Sequence, residues 1–283
     1  MFDMNNIKDL NRNLHIHIDK CPHCNNNTYI KYGKYNGEQR YQCKMCKKTF
    51  SARTNTPWYH SKKSLETWSK YYYYMFNINS LRECAAKLNI NLATAFNWRH
   101  KILTGLEIGM KVNELVESVH IQKRISKENR KGQKGVAEKP PRNVWTYFLV
   151  DSKDGIIGNP TCIDRWNSKS FMKNVYSRIN KKAYIYEIGD RFVNTIAKNH
   201  NKDVEENINI DNISVMNRVT NNFYKLLCKY HGIASKYTRR YMALNGILSM
   251  KMNFRISDII LNIFGEDLYK KIIKIRKEEI VNF

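Results

Sequence analysis

Residues 29–41 alternate polar and apolar side chains well enough for a β-hairpin, with Asn36-Gly37 at its turn. From Ser61 the period lengthens. Leu65, Trp68, Tyr72, Met75 and Phe76 recur at helical spacing, with Ser64 a weak cap. The run of four tyrosines from Tyr71 to Tyr74 is expected to split, half in the core and half at the rim, rather than form a base-stacking surface. Ser80 and Glu83 have the spacing of a capping box and open a second helix. Residues 89–91 make a turn, and Leu92, Ala95, Phe96, Ile102 and Leu103 give the next helix an apolar face. That succession is the pattern of a helix-turn-helix.

The pattern then changes. Residues 114–121 read as a strand, 123–143 as a basic loop ending in Pro140-Pro141, and 143–150 and 155–163 as strands joined by a turn at 151–155. A helix over 168–180, a strand over 183–188 and helices over 191–200 and 215–230 follow, with further helices within 257–280. Strands mixed with helices in this order predict an α/β second domain, so the fold class is α+β and multi-domain.

Composition adds a partner class. Lys and Arg outnumber Asp and Glu 49 to 25, a formal net charge of +24 over 283 residues. Such a chain calls for a polyanion, and double-stranded DNA is the expected one. In a helix-turn-helix the second helix enters the major groove with its N-terminal residues at base edges. Thr94, Asn97, Trp98, Arg99 and Lys101 would then lie on or near the exposed face, with Arg82 on the helix before. No run of about 18 apolar residues suggests a membrane span. The polar, Asn-rich start lacks the pattern of a secretory signal, and a cytoplasmic, nucleoid-associated location is expected.

Four of the seven cysteines form two C-x-x-C pairs, Cys21/Cys24 and Cys43/Cys46, with eighteen residues between them. Each C-x-x-C turn offers two thiolates to one metal, and that spacing reads as a structural zinc site on a ribbon. Cys84, Cys162 and Cys228 stand alone and are expected to be small buried apolar residues. The expected order is a leader (1–20), a zinc ribbon (21–56), a helix-turn-helix region (57–111), a mixed α/β domain (112–250) and C-terminal helices (251–283).

Residues 21–103 resemble the front half of zinc-ribbon insertion-sequence transposases of the ISXO-like group, also called the fifteen-ninety-five family. The resemblance is carried by Lys31-Tyr-Gly33, Gln39-Arg-Tyr-Gln-Cys-Lys-Met-Cys46, Lys48-Thr-Phe-Ser51, Ser80-Leu-Arg82 and Thr94-Ala-Phe-Asn-Trp-Arg-His-Lys-Ile-Leu103. His231-Gly-Ile-Ala-Ser-Lys-Tyr237, with Tyr241, extends it toward the C-terminus. The resemblance implies a ribonuclease-H-like domain over 112–250, in which acidic residues hold two divalent metals for strand transfer. It also implies a homodimer on DNA.

The catalytic pattern is incomplete. Where the family has Val-Glu-x-Asp-Glu, this chain has Val116-Glu-Ser-Val-His120, so Val119 stands at the first Asp. Glu117 would share a strand face with it by alternation. Asp190 matches the second acid and could equally be a helix N-cap. The third position aligns with Asn217. Asp151 and Asp154 read as turn residues, and neither Asp164 nor Asp211 has a spacing that restores the first site. Mg or Mn is expected only if Glu117, Asp190 and Asn217 work together. One carboxylate cannot neutralise two such ions. The expectation is therefore a transposase, or a DNA-binding protein derived from one, with an impaired catalytic site. The alternatives are an active strand transferase and a zinc-ribbon transcription regulator.

Overall fold

A computed structural model describes residues 18–35, 37–109, 114–131, 140–153, 155–205, 211–230 and 232–249. The C-terminal helices expected within 251–283, most of the leader, and Asn36, Asp154 and His231 lie outside the described residues. The described residues divide into two units, one up to Gly109 and the other from Glu114 to Ser249.

The first unit opens with an antiparallel sheet of three strands, β1 (Tyr29–Tyr35), β2 (Glu38–Cys43) and β3 (Thr49–Ser51), in that order. The expected hairpin is present, with Gly37 at φ +79 in the turn, a conformation that glycine adopts without strain. Tyr29, Tyr41 and Phe50 pack ring against ring beside buried Cys21 and Cys43. Three helices follow: α1 (Leu65–Phe76), α2 (Leu81–Lys87) and α3 (Leu92–Gly109).

Ser64 caps α1 by accepting from the Thr67 N–H. The capping box at α2 is complete: Ser80 Oγ accepts from the Glu83 N–H, and Glu83 Oε2 accepts from the Ser80 N–H at 2.6 Å. Each bond satisfies a donor that the first helical turn leaves over. Asn91 Oδ1 accepts from the Ala93 N–H at the start of α3. The tyrosine run divides as expected, Tyr71 and Tyr72 buried and Tyr73 and Tyr74 half-buried. Leu92 departs from its expected apolar face: it is the first residue of α3 and is 46% exposed.

The second unit is built on one sheet in the order β6-β5-β4-β7. β4 (Ser118–Lys127), β5 (Asn143–Asp151) and β6 (Ile156–Ile163) pair antiparallel, while β7 (Tyr184–Ile188) pairs parallel with β4. The first strand therefore starts later and runs further than the pattern at 114–121 indicates, taking in part of the presumed loop.

Strand alternation sorts the core into two layers. Val119, Ile121, Tyr147, Leu149 and Ile185 face α4 (Ser168–Asn174) and α5 (Arg191–His200), meeting Phe171, Val193 and Ala197. Phe148, Val150 and Ile156 face the other way, onto α6 (Asp211–Lys229) and α7 (Thr238–Ser249). The helix expected over 168–180 stops at Asn174, and a single 3-10 turn continues from it. Gly158 is required where α7 lies close: a Cβ there would come 2.6 Å from Met242 Sδ. Cys84 and Cys162 are buried as expected, but Cys228 is exposed on the outer side of α6. Among the described residues no helix is long and apolar enough to cross a membrane.

A buried carboxylate ties the far ends of β4 and β5. Glu128 accepts from Arg142 through both oxygens and from Arg130 through Oε2. Its side chain is 5% exposed. The Arg142 bonds first, then Arg130, hold its pKa down at about 2. A carboxylate lowered in this way stabilises the fold above its unfolded pKa and loses that effect as pH falls toward the folded value. Stability of the second unit should thus decline between about pH 4.5 and pH 2, by up to about 3 kcal/mol at 1.36 kcal/mol per unit. Urea unfolding across that range would show it, and Glu128→Gln should lower the midpoint at neutral pH and flatten the decline.

Candidate metal centre and the Asp190 face

The two C-x-x-C turns bring four sulfurs together at one end of the ribbon. Cys21 Sγ lies 3.7 Å from Cys46 Sγ, and Cys24 Sγ lies 3.5 Å from Cys43 Sγ. All four ligand atoms lie within 4.8 Å of one another. These separations are far beyond a disulfide bond, and all seven cysteines are free. They match the edge of a tetrahedron, which for Zn–S bonds of ~2.3 Å is roughly 3.8 Å.

The electrostatics ask for a cation. The Cys46 N–H, then that of Met45, hold the Cys43 thiol down at about 7. Cys24 is pushed up to about 12: the Asn26 N–H favours its thiolate, but desolvation and the neighbouring sulfurs outweigh it. Four thiolates at this spacing repel unless a positive ion lies among them. The cluster is consistent with a structural zinc site. Among the described residues it is the one group of three or more His, Cys, Asp or Glu side chains so disposed.

The helix pair distributes its expected DNA contacts unevenly. Arg82 is exposed on α2, and Thr94, Asn97 and Lys101 are half-buried on α3. Partial desolvation lowers the Lys101 pKa. Trp98 and Arg99, expected near the exposed face, are instead 5% and 1% exposed. Trp98 stacks on Trp68 at 3.8 Å and meets Tyr71 edge-on at 5.4 Å. Arg99 reaches back to donate to Asn79 O at 2.6 Å and Cys84 Sγ at 3.3 Å. From Trp98 to Leu106 nearly every position of α3 is covered, so the second half of this helix has no outward face for such residues.

The three candidate catalytic residues are not brought together. Glu117 has φ +60 and precedes the strand, so alternation does not align it with Val119. Its carboxylate accepts from Ser152 Oγ and pairs with Lys153 Nζ at 2.8 Å. Glu117 O accepts from the Tyr184 N–H, which places it level with the start of β7. Asp190 follows the far end of that strand, which at ~3.3 Å per residue lies roughly 13 Å further along. Asn217 is exposed on α6, the helix packed against the opposite layer of the sheet from Tyr147, a partner of Asp190.

Asp190 itself is 2% exposed. Its Oδ1 caps α5, accepting from Phe192 N and Val193 N, and its Oδ2 accepts from Tyr147 OH at 2.8 Å. Burial first, then the Asp190 carboxylate, raises the Tyr147 pKa, keeping the phenol a donor.

Register identifies the residue that faces Asp190 across the parallel pair. Val119 is level with Ile185, well short of Asp190, while Gln122 is level with Ile188. The next residue on the Val119 face is Lys123, and its Nζ lies 3.4 Å from Asp190 Oδ2. The position opposite Asp190 is thus occupied by the Lys123 ammonium, and Val119 lies further back along the pair. Motif spacing had no means of finding this, because parallel register is set by contacts far apart in sequence.

No family model matches the chain, and no solved structure matches it. Over 88 residues the chain is 33% identical to an uncharacterized protein in transposable element ISH50 of Halobacterium salinarum. The match covers 31% of this chain and 30% of that relative, so the chain spans less than a third of the relative's length. The chain therefore bears a partial likeness to a protein encoded in an insertion element.

Proposed function

We propose that this chain is a DNA-binding protein derived from an insertion-sequence transposase. In this reading the ribbon and the helix pair form the DNA-binding module, and the second unit is a ribonuclease-H-like domain with an impaired catalytic site. The observation that carries the proposal is the four-sulfur cluster built into the same unit as a capped helix pair, in a chain of net charge +24. Zinc bound by Cys21, Cys24, Cys43 and Cys46 fixes the ribbon. Lys and Arg side chains contact phosphates, and Arg82 and Thr94 are the candidate groove contacts, since the Asn97 amide oxygen is buried.

The strand order β6-β5-β4-β7, antiparallel throughout except at β4/β7, supports the ribonuclease-H-like reading. The likeness to the ISH50-encoded protein supports an insertion-element origin. Strand transfer is left out of the proposal because Glu117, Asp190 and Asn217 lie apart and Lys123 already neutralises Asp190.

The test uses the zinc-loaded full chain. Duplex DNA should bind with an affinity that falls linearly on a log–log plot against salt, and supercoiled plasmid should remain uncut in Mn²⁺. Failure to bind duplex at low salt overturns the DNA reading. Cutting that disappears in Asp190→Ala overturns the impaired site.

A further inference from the structure

Residues 52–61 run from β3 toward α1 and form neither helix nor strand, yet they are closely bonded. The backbone N–H groups of Thr54, Thr56, Tyr59 and Ser61 each donate to the carbonyl three residues earlier. The segment is therefore a chain of hydrogen-bonded turns. Thr56 and Trp58 within it are 2% and 1% exposed.

The segment grips the ribbon at one end and the helix pair at the other. Toward the ribbon, Arg53 pairs with Glu38 at the start of β2. Asn55 Nδ2 donates at 3.2 Å to Pro22 O, inside the first C-x-x-C turn. Toward the helices, Arg53 Nη1 donates to Ser61 O at 3.1 Å, and Ser61 Oγ accepts from Trp68 Nε1 of α1 at 3.0 Å. Trp58 lies 6.3 Å from Trp68, which in turn stacks on Trp98 of α3. One guanidinium fork thus holds a ribbon carboxylate and the carbonyl of the residue that anchors Trp68.

Pro22 O and Glu38 are in place only while the ribbon is folded, and a ribbon this small depends on its metal for that. Emptying the four-cysteine site would take the ribbon-side partners from Arg53 and Asn55 together. A half-buried guanidinium without its carboxylate is costly to keep where it is. The change would pass along contacts already in place, from Arg53 through Ser61 to Trp68 and Trp98.

We propose that residues 52–61 form a metal-responsive strap. With the four-cysteine site filled, the strap holds the Trp68–Trp98 stack in place; with the site empty, the helix pair loosens. The proposal rests on the metal reading of the four cysteines and makes that metal a regulator of α1 and α3 as well as of the ribbon.

The test follows amide exchange in the full chain, with zinc content measured first. Chelation should speed exchange about tenfold or more in α1 and α3 as well as in β1 to β3, while β4 to β7 keep theirs. Arg53→Lys keeps one cation but loses the fork, and Asn55→Gly keeps the left-handed backbone at φ +65 but loses the amide. In each variant, saturated with zinc, α1 and α3 should exchange faster than in the wild type and respond less to chelation. By reciprocity each variant should also hold zinc more weakly. Exchange in α1 and α3 that ignores chelation while the ribbon opens overturns the strap and leaves the zinc site standing. A full wild-type response in both variants overturns it as well. A chain that holds no zinc overturns the metal reading and the strap with it. Coupled exchange in a chain that binds no duplex supports the strap and sinks the DNA reading instead.

Discussion

Stripping metal with a strong chelator should unfold residues 21–56 while the sheet of the second unit persists. The ribbon core consists of Cys21, Cys43 and Phe50, with Ile18, Tyr29, Tyr41 and Cys46 against it. Three short strands with so few buried side chains cannot offset the entropy of ordering the segment. A structural zinc ion supplies on the order of 10–16 kcal/mol in small domains of this kind. The sulfurs are spaced to receive it, and burying thiolates together without it is unfavourable. Cys43→Ser, at a position with 0% exposure, should have the same outcome as chelation. Amide exchange across β1 to β3 is the measurement, and retained protection in a chelator would remove the metal from the account. Because ligation requires thiolates, acidification should release the metal and reproduce the unfolding.

Trp98→Ala should cost the first unit about 3–5 kcal/mol, the range for deleting a buried aromatic side chain. The indole is sandwiched between Trp68 and Tyr71, and Tyr71 OH donates to Ala95 O one turn earlier, so the cavity would open at the crossing of α1 and α3. Arg99→Ala should destabilise in the same direction by removing the donor to Asn79 O and Cys84 Sγ. Both residues act as scaffold for the helix pair, so any loss of DNA affinity should be equal on all sequences. Urea unfolding followed by tryptophan fluorescence gives the stability change. A loss confined to one DNA sequence would return these residues to base contact.

Features set by a few consecutive residues were legible in the sequence. The capping box needs Ser80 and Glu83 alone, the four-cysteine cluster needs two C-x-x-C turns, and the antiparallel strands of the second unit follow from alternation around a tight turn. Features set by distant packing were not. α3 is covered on most sides, so amphipathic reasoning assigned Trp98 and Arg99 an outward face that the helix lacks. Arginine invites that reading because its usual place is the surface. Here its fork instead satisfies a carbonyl in the turn before α2.

The placement of Glu117 differs from its expected strand face for a related reason. A left-handed backbone at Glu117 breaks the alternation assumed for it, and the offset between β4 and β7 makes Lys123 the neighbour of Asp190. The cluster of Trp145, Trp166 and Phe192 carried no local signal, since β5, the segment before α4 and α5 contribute one ring each.

The parallel pairing of β4 with β7 also sets an order of assembly. Ser118 must find Tyr184 after β5, β6 and α4 have been made, whereas the strand pairings of the first unit join elements adjacent in the chain. Closing that long loop is the slow step expected of a sheet with non-local pairing. During synthesis the four-cysteine ribbon emerges before the residues that complete the central sheet exist. Until β7 docks, β4 presents an open edge whose first residues, Ser118 to Ile121, are buried in the finished protein. The interval before that docking is when the chain is most exposed to aggregation.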